Sequence, residues 1–269
     1  MQNNLIELQK HIVNLVKNGS LNDAKSKLEQ FFGNVEAHSR KGNKKEKDFI
    51  DNEIKNLKIL YGKVLYGLKM FGTGIKFLQT IEHIADNIIR NKDTKEYLIA
   101  INIYLDIAYG FLELKAYDKS FIYSKKAFDI CKNEFYPEQL LSAMDLMVIK
   151  LLKEKKYKEV NSYYKQMEII YNNINIGEHK ETVKLFQYML EGKKADLLIQ
   201  QKQYDKALDL LRNVSNDFAD NDLSEHPVYS TAVKAILESF IFLAKYIGCT
   251  TPESIQEFIN KNGIGFKFA

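Results

Sequence analysis

Chemistry in a chain of this kind would have to come from histidines, cysteines or carboxylates gathered at short spacing. The five histidines are His11, His38, His83, His179 and His226. None lies within four residues of another, so no single helix presents two of them to a metal ion. Cys131 and Cys249 are far apart and form no metal or redox motif, and they read as free thiols in a reducing compartment. Carboxylates are plentiful, but no close pair sits in an apolar context that would shift its acidity. Asp106 and Glu113 are seven residues apart, two helical turns, and read as charge on one helix face. There is no phosphate-cradling glycine loop, no HExxH and no GxSxG. The residues therefore point away from catalysis, and neither cofactor nor metal is expected.

What remains is binding, and composition bounds it. The 39 basic and 35 acidic residues leave a formal charge of +4, too even to require a nucleic-acid partner. Only three prolines occur, Pro137, Pro227 and Pro252, which leaves room for many long helices. The chain opens directly on an amphipathic segment without the pattern of a secretion signal. The longest apolar stretch near the C-terminus, 236–247, is interrupted by Glu238, Ser239 and Lys245 and is too short to cross a bilayer. A cytoplasmic location with no membrane contact is expected.

The elements that would carry a binding surface show one register several times. In 104–127, Tyr104, Ile107, Ala108 and Phe111 recur at helical spacing. A turn with Tyr117 follows, and Ser120, Ser124 and Ala127 supply small residues that let a second helix approach closely. The same order returns as Met144, Met147, Val148, Leu151, Tyr157 and Val160. It returns again as Ala195, Leu198, Tyr204 and Ala207, more weakly around Tyr61 to Gly74, and most weakly around Leu8 to Ala24. The second-helix markers Ala24, Gly74, Ser120, Val160 and Ala207 step by 50, 46, 40 and 47 residues.

This register resembles the tetratricopeptide repeat, whose period is about 34 residues. The longer steps resemble the receptor domains of bacterial peptide-pheromone regulators of the Rap, NprR, PlcR and Rgg type, without their helix-turn-helix. The resemblance implies an all-α, right-handed superhelix of about five degenerate hairpins with C-terminal capping helices. The expected layout is a single α-solenoid over 1–269. It has a first hairpin at 5–38, a basic linker at 39–50, hairpins at 51–91, 93–133, 138–173 and 180–218, and C-terminal helices at 226–262. Thr251-Pro252-Glu253 supplies a cap, a first-position proline and an acidic first turn for the last of these.

By the same resemblance, the first helices of successive hairpins line the concave side. Their inward positions include Asn56, Lys63, Tyr66, Asn102, Tyr109, Glu113, Asp145, Asp196 and Gln200. An asparagine amide both donates and accepts, so it can pair with an extended peptide backbone whatever its sequence. Tyrosines give flat contact area with a polar tip. Lys63 could meet a peptide carboxylate, and Asp145 or Asp196 a basic side chain. The expected partner is a peptide or protein, and homodimers are frequent in the resembled family. Two alternatives stay open. One is a scaffold without a peptide ligand. The other, weaker one is a nucleic-acid contact through the five basic residues of 40–47.

Overall fold

In the computed structural model, the described residues are 2–39, 44–134, 136–173, 180–220, 223, 226 and 229–262. Residues 40–43 of the basic stretch, His179, Pro227 and the tail 263–269 lie outside them. The described residues form thirteen α-helices and no strand. They are α1 (Gln2–Lys17), α2 (Leu21–Ser39), α3 (Lys44–Gly67), α4 (Phe71–Gln79), α5 (Glu82–Arg90), α6 (Tyr97–Glu113) and α7 (Tyr117–Glu134). After them come α8 (Pro137–Lys153), α9 (Tyr157–Asn173), α10 (Lys180–Gln200), α11 (Tyr204–Asp220), α12 (Tyr229–Tyr246) and α13 (Pro252–Asn262).

One turn chemistry is reused along the chain. The first helix of a hairpin ends on a residue in the left-handed region: Gly19 (φ 76°), Lys69 (59°), Lys115 (57°), Lys155 (57°) and Lys202 (61°). Around each, two backbone bonds close the helix end. At Lys115 its N–H donates to Leu112 O at 2.8 Å and the Ala116 N–H donates to Phe111 O at 2.8 Å. At Lys202 the pair is Lys202 to Ile199 and Gln203 to Leu198, both 2.9 Å. These Schellman closures satisfy carbonyls that the helix would otherwise leave bare. A β-carbon in this region is strained, which is why glycine is the usual occupant. Lysine gains something in return, because its charge sits against the negative end of the helix dipole.

The chain divides into two compact units, Met1–Lys150 and Leu151–Ala269. In the first, α1 packs on α2, α3 on α4, and α6 on α7, while α6 also packs against α4 and α5. Ile12, Ala24, Leu28, Leu57, Tyr61, Val64 and Leu65 form the core of its first hairpins. Ser120, Ser124 and Ala127 are all buried, as their small size at the α6–α7 contact requires. The second unit is built around Leu185, Ala195, Ile199, Ala207, Leu211, Ile236 and Phe240, where α10, α11 and α12 meet. Its last helix starts as the sequence implies: the Ser254 N–H donates to Thr251 Oγ1 at 3.2 Å, with Pro252 in the first turn.

Two local features depart from the sequence layout. The stretch expected as linker over 39–50 is shorter, because α3 already begins at Lys44. Lysine and glutamate are good helix formers, and their charge does not prevent the helix from extending. The second helix of 51–91 is also interrupted. The Thr80 hydroxyl donates to Phe77 O at 2.6 Å, and the Ile81 N–H donates back to Leu78 O at 3.0 Å. This local competition ends α4, and α5 restarts at Glu82 with Ile81 fully buried between them.

Candidate functional site

The sequence-derived positions of the first unit come together on α3 and α6. Asn56, Lys63 and Tyr66 follow one another at helical spacing on α3, and Asn102, Asp106, Tyr109 and Glu113 do so on α6. Asn56, Lys63, Tyr109 and Glu113 are exposed, and Asn102 is half-buried. Asn56 and Asn102 each stand thirteen residues before a left-handed lysine, Lys69 and Lys115 respectively. The repeat thus places two amides at equivalent points, and neither amide has a hydrogen-bond partner within the described residues.

Tyr66 departs from expectation. Its register makes it an inner-surface contact, yet it is only 8% exposed. The reason is room made by glycine. A β-carbon at Gly74 would come within 2.5 Å of the Tyr66 ring, and one at Gly110 within 2.4 Å of its hydroxyl. The ring therefore fills the space that two missing side chains leave between α4 and α6. Its hydroxyl has no hydrogen-bond partner. Around it stand Phe71 and Tyr109, with ring centroids 5.7 and 5.9 Å from that of Tyr66 and 6.4 Å from each other. Tyr109 keeps 43% of its surface. Burial, and then the neighbouring Glu113 carboxylate, raise the Tyr109 pKa.

Asp106 is the residue that sequence reasoning misses. Its spacing from Glu113 reads as surface charge, but its Oδ2 is buried without a hydrogen-bond partner. Lys63 Nζ approaches that oxygen to 3.7 Å, an ion pair too long for a hydrogen bond, and Lys63 itself remains 52% exposed. Desolvation pushes the Asp106 carboxyl up to about 6, against the opposing pull of Lys63. The available signal is Gly110, four residues on, a helical glycine whose missing β-carbon makes room for Tyr66, although Gly33 and Gly72 lie in helices with open space at that point.

The remaining expected positions behave differently. Asp145 on α8 is half-buried and already interacts within the fold. In the second unit Gln200 is half-buried, and Asp196 is turned inward. Asp196 Oδ1 is buried without a hydrogen bond. Desolvation lifts its pKa to about 6, with Ser239 lowering it, Glu238 raising it and Lys193 lowering it. Asp196 therefore belongs to the α10–α12 contact more than to an outer face.

The opposite side of α6 is polar but satisfied. Tyr104 OH donates to Asp86 at 2.6 Å and Tyr123 OH to Glu82 at 2.8 Å, while Lys126 pairs with Glu82 at 2.7 Å and stands over both rings. Tyr61 to Glu29 (2.8 Å) and Tyr188 to Asp217 (2.7 Å) repeat the device, a first-helix tyrosine donating to a second-helix carboxylate. These contacts brace hairpins. A cleft of about 300 Å³ lies beside the first network, between α5 and α7 over Tyr97 and Tyr104. One of about 440 Å³ lies between α9 and α11 over Leu197 and Leu198. Among the described residues, no group of three or more His, Cys, Asp or Glu could hold a metal, and no helix is long and apolar enough to cross a membrane. Cys131 is buried, and burial pushes its thiol up to about 12, which leaves it inert at neutral pH.

No protein-family model matches the chain, and no curated protein matches it. Solved structures do. One is a crystal structure of a Podosopora anserina putative kinesin light chain with nearly identical TPR-like repeats. It is 13% identical, covers 77% of this chain and 92% of its own, and has a TM-score of 0.55. A second crystal structure, of a singly substituted form of that protein, is likewise 13% identical, covers 77% of this chain and 91% of its own, and has a TM-score of 0.56. The fold of this chain is accordingly all-helical and tetratricopeptide-like.

Proposed function

We propose that the chain is a non-catalytic docking module, and that the α3–α6 face of its first unit receives an extended peptide, either free or as a segment of a protein. The observation that carries this reading is the pair of amides at equivalent repeat positions, Asn56 and Asn102, both without partners among the described residues. Two such groups separated by one repeat can hold a peptide backbone at two points without reading its side chains. The tetratricopeptide-like fold supports a binding role, since stacked hairpins expose a long surface of side chains held on rigid helices. The lengthened repeat steps favour an intracellular peptide-signal receptor, in the manner of the pheromone regulators. Tyr109 and Glu113 on α6, and Lys63 on α3, complete the face. Asp145, Asp196 and Gln200 are left outside it.

The test is a selection of displayed random peptides on the full chain, followed by Asn56→Ala with Asn102→Ala. Each amide pair is worth about 1 kcal/mol, so the double variant should bind the selected peptides about tenfold more weakly or worse. Its melting temperature should stay within about one or two degrees of the parent, since surface changes away from packed contacts are near neutral. The bound peptide should raise the melting temperature of the parent, because only the folded state binds it. Selected peptides that bind the double variant equally well would move the site elsewhere. Binding that collapses with salt would favour a contact with charged polymers instead.

A further inference from the structure

We infer that the Asp106–Tyr66–Tyr109 cluster is a subsite for an arginine side chain of the ligand, with Lys63 as a placeholder cation that the arginine displaces. The inference rests on the docking face proposed above and names what one part of that face recognises.

Two buried polar atoms at this point lack partners. Asp106 Oδ2 has no hydrogen bond, and the Tyr66 hydroxyl, on a ring only 8% exposed, has none either. Leaving such groups unpaired costs free energy in the empty state, and a ligand that pairs them recovers it. The group that would satisfy a carboxylate here is a cation with several N–H donors. Lys63 supplies charge but no hydrogen bond, at 3.7 Å, and its side chain is half in solvent and free to swing out. The local charge favours a cation even with Lys63 present, since Asp106 and Glu113 outnumber it on this face.

The rings decide between cations. Tyr109 offers an exposed ring, and its centroid lies 5.9 and 6.4 Å from those of Tyr66 and Phe71. A planar guanidinium can stack on such a ring while its edge forks onto a carboxylate. An ammonium does the second only as a point charge, and Lys63 already occupies that role without reaching hydrogen-bond distance. A neutral amide or urea has N–H donors for these oxygens but would leave the charge of the buried carboxylate uncompensated.

The experiment uses the full chain labelled with 3-fluorotyrosine. The resonance of Tyr109 is assigned with Tyr109→Phe among the 16 tyrosines. The probes are N-acetyl-arginine methylamide, its lysine counterpart, and the neutral isostere N-acetyl-citrulline methylamide. Saturable shifts at Tyr109 are expected with the arginine amide, with at least about tenfold weaker binding of citrulline and at least about fivefold weaker binding of lysine. Asp106→Asn should remove the arginine response, losing about tenfold or more. Lys63→Met should tighten it several-fold, because the competitor is gone. Equal responses to arginine and citrulline, a lysine response as strong as the arginine one, or a weaker response in Lys63→Met would overturn the assignment. The citrulline comparison needs no variant, so it stands even if Asp106→Asn folds poorly. Selected peptides that need Asn56 and Asn102 but carry no arginine and ignore Asp106→Asn would sink this inference while leaving the docking face intact.

Discussion

A carboxylate inside a protein keeps its charge only where donors or cations stabilise it, and Asp106 and Asp196 have little of either. Asp106 faces Lys63 from α3 at 3.7 Å and the unpartnered Tyr66 hydroxyl. Asp196 faces Ser239 and Glu238 from α12 and has Lys193 on its own helix. Both carboxyls are pushed from 3.8 up to about 6. The folded state therefore holds these two protons more tightly than the unfolded chain does. Between about pH 4 and 6 the unfolded chain releases them first, so stability falls as pH rises through that window and then stays lower. Asp106→Asn and Asp196→Asn should each raise stability at pH 7.5 by on the order of 1 kcal/mol, and should flatten the decline between pH 4 and 6. Urea titrations at several pH values check this. A variant that is less stable at pH 7.5, with the decline unchanged, would mean that the carboxylate is paired in the fold after all. Neither acid is legible in the sequence. A stripe of residues at helical spacing places Asp106 on a face, but cannot tell that α3 covers it and that Gly110 draws Tyr66 alongside. What the register does convey is exposure: Asn56 and Tyr109 are exposed and Asn102 is half-exposed.

At the scale of elements, the turn is the recurring unit. The left-handed residues Gly19, Lys69, Lys115, Lys155 and Lys202 repeat the steps of 50, 46, 40 and 47 residues shown by the second-helix markers. Those markers are visible because a small or apolar residue must open each second helix. The lysines are not, because glycine is the usual sign of this conformation and only the first turn has one. The break at Thr80 and Ile81 is hidden for a related reason: threonine and isoleucine are ordinary in helices, and α4 ends where the backbone tightens, with the Thr80 hydroxyl donating to Phe77 O and the Ile81 N–H to Leu78 O. A lysine at positive φ should be improved by glycine. The relief of strain is about 1 kcal/mol, offset by glycine's extra freedom in the unfolded chain and by loss of a charge at the helix end, roughly 0.3 kcal/mol. Lys115→Gly and Lys202→Gly should each stabilise by up to about 0.5 kcal/mol, and their effects should add, since they close separate hairpins. The measurement is the urea midpoint of the double variant. A lower midpoint would mean that the lysine charge outweighs the backbone strain.

At the scale of the whole molecule, each unit holds together by neighbour-on-neighbour packing of hairpins, so the packed contact between two helices limits what a position tolerates. The fold class is readable from few prolines and a recurring register. The longer repeat step has a physical origin: α3 has 24 residues and α10 has 21, well beyond an average helix. Ala207 tests the packing argument most directly. It has no exposed surface, and it lies in the second unit's core with Ala195, Leu211, Ile236 and Phe240. The turn at Lys202 and Gln203 leads into it, with the Ala207 N–H donating to Gln203 O at 3.1 Å. Arginine there must either bury a charge beside apolar side chains or force α10 and α11 apart. Either route costs about 3 kcal/mol or more, a large fraction of the stability of a domain this size. Ala207→Arg should therefore speed amide exchange in 195–199, 207–214 and 236–243, the three strips that meet at this residue. Hydrogen exchange read by mass spectrometry gives the pattern directly. Protection unchanged in all three strips would show that the second helix of this hairpin does not present Ala207 to α10, and the register shared by the hairpins would fail at this copy.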